Sequence, residues 1–325
     1  MAVLGIESTA HTFGAGICEK GRILANRKIM YPIWDKGLIP AKVAEFHAAN
    51  TYKVIRGALT EAGLGVADIS GIGYTKGPGL GPCLSVGMVA AKTIAVKNDI
   101  PLFPVNHAVG HIEVTKQAFH VKDPLVLYVS GGNSQIVALS DERFRHYMVY
   151  GETLDVGIGN MLDSFARAAG ILPAWGSEVA RAALGGSYIK MPYTVKGMDF
   201  TFTGLLTFAT RALENNSVRD VAYSMQETAF SMLCEATERA LLLSKKKDIV
   251  VCGGVAQSDR LKQMLGSISR ENRANLFAAT NDLNADNGAM IALVAEKMQD
   301  SGQSYAVDDC GISQRYRLDS VKITW

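Results

Sequence analysis

The sequence predicts an α/β protein of two lobes, built on a repeated unit of β-hairpin followed by alternating strands and helices. Three observations lead there. The chain has 325 residues, more than a single core ordinarily holds. Short apolar runs bounded by turn residues alternate with stretches of helical spacing. The opening pattern also returns: VLGIESTAHTFGAGIC (3–18) and VLYVSGGNSQIVALS (126–140) share the layout strand, hydroxyl- or glycine-rich turn, strand. Slight identity with matched order and lengths is the mark of an internal duplication.

Taken in order, the first half predicts strands at 3–6, 13–18 and 22–30. A helix over 41–62 is closed by Gly63, and a strand at 69–74 leads through a Gly/Pro turn to a helix over 84–97. A strand at 102–105 then runs into Asn106-His107. The second half predicts strands at 125–129, 135–139 and 144–150, and helical patterns over 159–184 and 219–244. Next come a strand at 248–252, a helix at 258–268, a strand at 275–278 and a last helix near 285–299. From Tyr305 the pattern is irregular. The expected division is 1–122 and 123–325, with a helical insertion in the second unit and a tail that returns to the first.

Composition excludes several classes. Hydrophobic residues are 48%, charged residues 20%, and 32 residues are Gly, which fits neither disorder, collagen nor a coiled coil. The 33 Lys+Arg and 31 Asp+Glu leave +2, so global charge does not mark a nucleic-acid binder. No apolar run approaches the roughly 20 residues that span a bilayer. Met1–Glu7 lacks a basic leader, so no signal peptide is expected. The five cysteines form no CxxC pair, which reads as free thiols in a cytoplasmic setting.

Three turns follow predicted strands: Glu7-Ser8-Thr9-Ala10, Ser130-Gly131-Gly132-Asn133 and Gly253-Gly254-Val255-Ala256. Glycine lets backbone N–H groups approach a phosphate closely. Each alone is equally an ordinary tight turn; three in a duplicated frame point to a nucleotide between the lobes. The sequence contains neither GxxxxGK[ST] nor GxGxxG.

His107 and His111 stand at i and i+4, one face of a helix, where both imidazoles can grip one ion or simply be two unrelated histidines. Further ligands would come from Asp286, otherwise a helix cap, and Tyr128, otherwise a core aromatic. Such mixed donors suit iron or zinc. A zinc peptidase of HExxH type needs Glu beside the first His; here Ala108 stands there. The loop Lys76–Cys83, with three glycines and two prolines, looks shaped against a ligand or a neighbouring subunit. Basic clusters at Lys245–Lys247, Arg143/Arg145 and Arg315/Arg317/Lys322 read as solvated surface.

At these residues the sequence resembles the tRNA threonylcarbamoyladenosine synthesis family, TsaD in bacteria and the catalytic subunit of the KEOPS complex in archaea and eukaryotes. The matching stretches are GIESTAHT (5–12), KGPGLGPC (76–83), NHAVGHIE (106–113), YVSGGNSQ (128–135), GETLD (151–155), KGMDFTFTGLL (196–206), GGVA (253–256), DNGAMIA (286–292) and QRYRLDSVKITW (314–325). Tyr128 and the closing segment resemble the archaeal/eukaryotic branch. The resemblance implies an actin/Hsp70/sugar-kinase (ASKHA) fold. It also implies transfer of threonylcarbamoyl from threonylcarbamoyl-AMP to the adenosine beside the anticodon in ANN-decoding tRNAs. Implied metal ligands are His107, His111, Tyr128 and Asp286. Implied adenylate contacts are Tyr128, Val129, Ser130, Gly131, Gly132, Asp163 and Gly176, with Glu178, Gly254 and Ser258 in looser correspondence. Glu7 and His11 would orient substrate or move a proton. A small kinase, a dimerising subunit and a regulator are the implied partners.

The sequence departs from the family in places. Ser258 replaces the usual Asn of GGVAAN, Ala174-Trp175-Gly176-Ser177 replaces PGGP, Ser85 replaces Arg, and Phe46 replaces one of a His pair. These changes bear on nucleotide affinity and keep open an ATP-binding assembly subunit without catalysis; a third reading, a phosphotransferase of the same fold, would need a catalytic Asp and a magnesium site, and the His107/His111/Asp286 set argues against it.

Overall fold

The computed structural model describes residues 1–32, 37–140 and 145–325. In the first half, β1 (Ala2–Glu7), β2 (Thr12–Glu19) and β3 (Arg22–Met30) are followed by α1 (Pro40–Ala62), β4 (Ile69–Gly77), α2 (Gly81–Asn98), β5 (Leu102–Asn106) and α3 (His107–Phe119). The second half opens with β6 (Leu125–Val129), β7 (Ser134–Leu139) and β8 (Tyr147–Glu152). Helices α4 (Ile158–Ala168) and α5 (Gly176–Ala182), the short pair β9 (Val195–Lys196) and β10 (Asp199–Phe200), and α6 (Thr203–Ala212) and α7 (Val218–Ser244) form an insertion. The chain ends through β11 (Asp248–Cys252), α8 (Asp259–Glu271), β12 (Asn275–Ala278), α9 (Asn281–Asn284) and α10 (Gly288–Asp300).

The strands form two five-stranded sheets, β3-β2-β1-β4-β5 and β8-β7-β6-β11-β12. In each, the first three strands are antiparallel and the last two run parallel to the first. The order is one pattern used twice, so the duplication is structural.

Side chains alternate across each sheet, as the pleat requires. Ala2, Leu4 and Ile6 join the outer core beneath α1 and α2, while Val3 points inward. Leu125, Leu127 and Val129 join the outer core of the second sheet; Val126 and Tyr128 point inward. Between the sheets lies a middle layer made by α3 and α10.

Those two helices cross over. α10 packs on β1, β2 and β4 of the first sheet, while α3 reaches β6, β11 and β12 of the second. The strands of the two sheets separate between 106 and 125, while α10, late in the chain, packs on the first sheet. The approach is so close that a Cβ on Gly5 would lie 2.1 Å from Ala292 N, and one on Gly16 2.2 Å from Ala289 N. No residue but glycine fits at either position.

Three expectations change. The helical pattern over 159–184 breaks into α4 and α5, because Gly170 takes a left-handed φ of 68° and Pro173 follows without an N–H. The β9–β10 pair and α6 form where no element was expected; Asp155 holds this turn by accepting from Phe202 N at 2.9 Å and Thr203 N at 2.8 Å. The strand expected over 144–150 begins at Tyr147, and Phe144 lies outside the described residues.

The tail is irregular but tied down. Ser313 N donates to Lys76 O at 2.8 Å, Gly79 N to Gln314 O at 3.3 Å, and Ile323 N to Arg145 O at 2.8 Å. The loop at 76–83 is therefore shaped largely against this strap. A Cβ on Gly77 would lie 1.8 Å from Ser313 O. Among the described residues no helix is long and apolar enough to cross a membrane. All five cysteines are free and buried.

Candidate active site

α3 starts where β5 ends. Asn106 caps it, its Oδ1 accepting from Ala108 N at 2.9 Å and Val109 N at 3.2 Å, while its Nδ2 donates to Tyr316 O at 3.0 Å. One turn of helix then sets His107 and His111 on one face, their Nε2 atoms 3.2 Å apart. Asp286 arrives from the far half of the chain. Asn287, not Asp286, caps α10, with its Oδ1 accepting from Met290 N at 2.9 Å. That leaves the Asp286 carboxylate free to turn toward the histidines. Its Oδ1 lies 3.4 Å from His107 Nε2 and 3.3 Å from His111 Nε2.

These separations match one bound ion. Two donors about 2.0–2.1 Å from a tetrahedral metal stand roughly 3.3 Å from each other. The three donor atoms form a triangle of that edge, and the three residues group as a candidate metal set. Tyr128, buried at the end of β6, stacks obliquely beside His111 with ring centroids 5.8 Å apart. Two imidazoles, a carboxylate and a phenol are donors that fit iron or zinc better than magnesium or calcium.

Burial pushes the Asp286 carboxyl up, but the charge and hydrogen bonds of His107 and His111 together hold the group well below the ordinary carboxylate range. Burial pushes the His107 ring down, but Glu7, Tyr128 and Asp286 together raise it well above its ordinary value. His111 is lowered by burial.

A cleft of about 860 Å³ opens in front of the triangle, between the two sheets. His107, Tyr128 and Asp286 form its floor; Thr9–His11 and Pro78–Leu80 line one wall. Ser130–Asn133, Asn160, Asp163 and Trp175 line the other. The loop 130–133 lies directly on α4, where a Cβ on Gly157 would come 2.4 Å from Gly131 O. Ser130 N donates to Asn133 O at 2.8 Å, so its N–H is used within the turn. Gly131 and Gly132 present the exposed backbone of the loop. Asp163 Oδ1 accepts from Gly176 N at 2.8 Å, and burial lifts its pKa to about 6.

Other expected residues stand elsewhere. Glu7 is fully buried behind His107 and does not line the cleft. His11 does line it, its ring 5.3 Å from that of Trp175 across the gap between lobes. Val129 points into the outer core and does not line the cleft. Glu178 pairs with Arg181 at 2.8 Å, and Ser258 caps α8 by accepting from Leu261 N at 3.4 Å. Neither these nor Gly176 and Gly254 line the cleft. Of the basic clusters, Lys246 pairs with Asp123 and Arg145 donates to Trp325 O, while Arg143 lies outside the described residues.

The tail returns to the first sheet as a strap, and its entry into the cleft was not expected from the sequence. Residues 314–318 line the cleft, and Arg317 reaches Glu152 at 3.4 Å and Asp319 at 2.8 Å. The signal was the QRYR segment itself, whose basic residues looked like plain surface.

Comparison with known proteins fits this geometry. The family described as TsaD: tRNA N6-adenosine threonylcarbamoyltransferase matches residues 22–293. A protein of that name from Thermococcus sibiricus is 43% identical over 328 residues, covering 100% of both chains. The chain belongs to this family. A relative of the same name from Encephalitozoon cuniculi is 42% identical, covering 100% of this chain and 99% of its own. A probable bifunctional tRNA threonylcarbamoyladenosine biosynthesis protein from Thermoplasma volcanium is 44% identical over 100% of this chain, which spans 62% of that protein.

Solved structures extend the fold. HypF from T. kodakarensis aligns with TM-score 0.63 at 15% identity, over 91% of this chain and 47% of that one. A ROK glucokinase from Streptomyces griseus aligns with TM-score 0.52 at 14% identity, over 91% and 99%. The architecture is the actin/Hsp70/sugar-kinase fold, two duplicated mixed sheets with a cleft between.

Proposed function

We infer that this chain transfers threonylcarbamoyl from threonylcarbamoyl-AMP to the N6 amine of adenosine 37 in ANN-decoding tRNAs. Membership of the transferase family supports the reaction. The single observation that carries the site is the pairing, in one cleft, of the His107–His111–Asp286 triangle with the glycine loop at 130–133.

His107, His111, Asp286 and Tyr128 would hold a divalent iron or zinc ion, which supplies Lewis acidity toward phosphate or carbamoyl oxygens. The other steps belong to the protein. Backbone N–H groups of Gly131 and Gly132 bind the adenylate phosphate. Asp163 accepts from the ribose hydroxyls, and Trp175 narrows the cleft over them. The two walls hold the adenosine amine against the carbamoyl carbon, and positioning supplies much of the rate because that amine is a weak nucleophile. The N–C bond forms as the bond to AMP breaks, and the amine gives up a proton. His11, the cleft-lining imidazole outside the triangle, is placed to take that proton.

We infer further that the chain works within a KEOPS-like assembly. A net charge of +2 supplies little attraction for a polyanion, so partner subunits would provide much of the tRNA surface. Transfer of radiolabelled threonine to tRNA, with bicarbonate, ATP and the adenylate-forming enzyme, tests the reaction. Label in tRNA that depends on this chain supports it. ATP binding without transfer, with the partners present, would instead favour the assembly-subunit reading. Phosphoryl transfer to a small acceptor would favour a phosphotransferase.

A further inference from the structure

The carboxylate behind the histidines has no part in the steps above. Glu7 ends β1, is wholly buried and does not line the cleft. Its Oε1 accepts from Thr9 N at 2.7 Å and Thr9 Oγ1 at 2.5 Å. Its Oε2 accepts from Thr75 Oγ1 at 2.6 Å and lies 3.0 Å from His107 Nδ1. An ionised carboxylate only accepts, so His107 Nδ1 is the donor of that contact. All four acceptor positions are filled from within the protein. A group so enclosed cannot exchange a proton with a substrate in the cleft.

We propose that Glu7 is a positioning residue that fixes the proton of His107 on Nδ1 and so keeps Nε2, the atom facing Asp286, as the metal donor. This rests on reading the triangle as a metal site. A buried carboxylate on the far nitrogen of a metal-binding imidazole sets its tautomer, orients its ring and raises its basicity. The contrast within the pair supports the role. His111 Nδ1 is buried with no hydrogen-bond partner, so only His107 is held from behind. Thr9 and Thr75 in turn hold the carboxylate, which explains why hydroxyl residues flank it on β4 and in the first turn.

Glu7→Gln separates this role from simple packing. The amide has nearly the same shape but carries an NH2 group. Thr9 N is a fixed donor and requires the amide oxygen, so the NH2 turns toward His107. The imidazole must then accept at Nδ1 and carry its proton on Nε2, against the metal. The experiment uses full-length chain stripped of metal and reloaded with zinc alone, with affinity read by chelator competition. Folding is followed by circular dichroism. The expected result is zinc affinity lowered by about 10–100-fold in a folded Glu7→Gln chain. Affinity within about threefold of the parent would overturn the proposal, whatever the variant's stability. If the variant does not fold, nitrogen NMR of the zinc-loaded parent decides. A proton on His107 Nδ1 supports the role, and zinc on Nδ1 overturns it. A parent chain that binds no zinc would overturn the metal-site reading itself, which is a distinguishable failure.

Discussion

The two halves share one strand order yet end their first hairpins in opposite ways. Between β1 and β2 the turn is built from side chains: Glu7 lies buried, Thr9 donates to it, and no glycine occupies residues 7–12. Between β6 and β7 the turn is built from backbone: Gly131 and Gly132 are exposed on the cleft and a side chain there would meet little. The repeat is kept where packing demands it and released where only the cleft sees the residue. One turn supports ionic chemistry from behind; the other offers N–H groups from in front.

The largest effect should come from the ionic side. His107→Ala with His111→Ala is expected to abolish metal in elemental analysis and lower threonylcarbamoyl transfer by about 10³-fold, with adenylate affinity changed by only a few-fold. Transfer within tenfold of the parent would break the division of labour between the turns (taking tenfold as about 1.4 kcal/mol).

Next in size is the packing behind each turn. Gly5→Ala forces a methyl into the backbone of α10 and should cost about 3 kcal/mol in urea unfolding. Gly132→Ala meets nothing within 4 Å and should cost under about 0.5 kcal/mol. Equal costs would mean that the two glycine sets are not used differently.

Asp163 gives a pH test. Burial raises its pKa to about 6, so it is a carboxylate acceptor above that pH and a neutral acid below it. Adenylate affinity should fall by about tenfold as pH drops from 7.5 to 5, and Asp163→Asn should be weak and pH-independent. The sign for stability is opposite. A folded-state pKa above the unfolded value means that stability declines as pH rises through the interval up to about 6, and Asn removes that decline. The smallest effect is at Ser258, whose hydroxyl caps α8. Ser258→Ala should cost about 1 kcal/mol of stability and leave adenylate affinity unchanged, since its side chain serves the helix and not the cleft.

Much of this was legible in the sequence. Short apolar runs between turn residues gave the bounds of β11 and β12, and the i, i+4 spacing placed both histidines on one face, because local pattern alone sets these features. The crossing of α3 and α10 was not legible, since it depends on which sheet a helix meets and not on its own periodicity. Gly5, Gly16 and Gly288 carried that information, but a glycine in a strand does not say what approaches it. The interior place of Glu7 was hidden for a related reason: its partners Thr75 and His107 lie 68 and 100 residues away. The return of the tail was legible, but the place of residues 314–318 in the cleft was not, because backbone bonds to loop residues leave no side-chain signature.

The exchange of helices also has a consequence for biosynthesis. The face of the first sheet that α10 covers stays bare until residues 288–300 have left the ribosome. The N-terminal strands, made before α10, must therefore wait for it. A nascent fragment ending before Gly288 would expose Val3 and the glycine-lined seam to chaperones or to other unfinished chains.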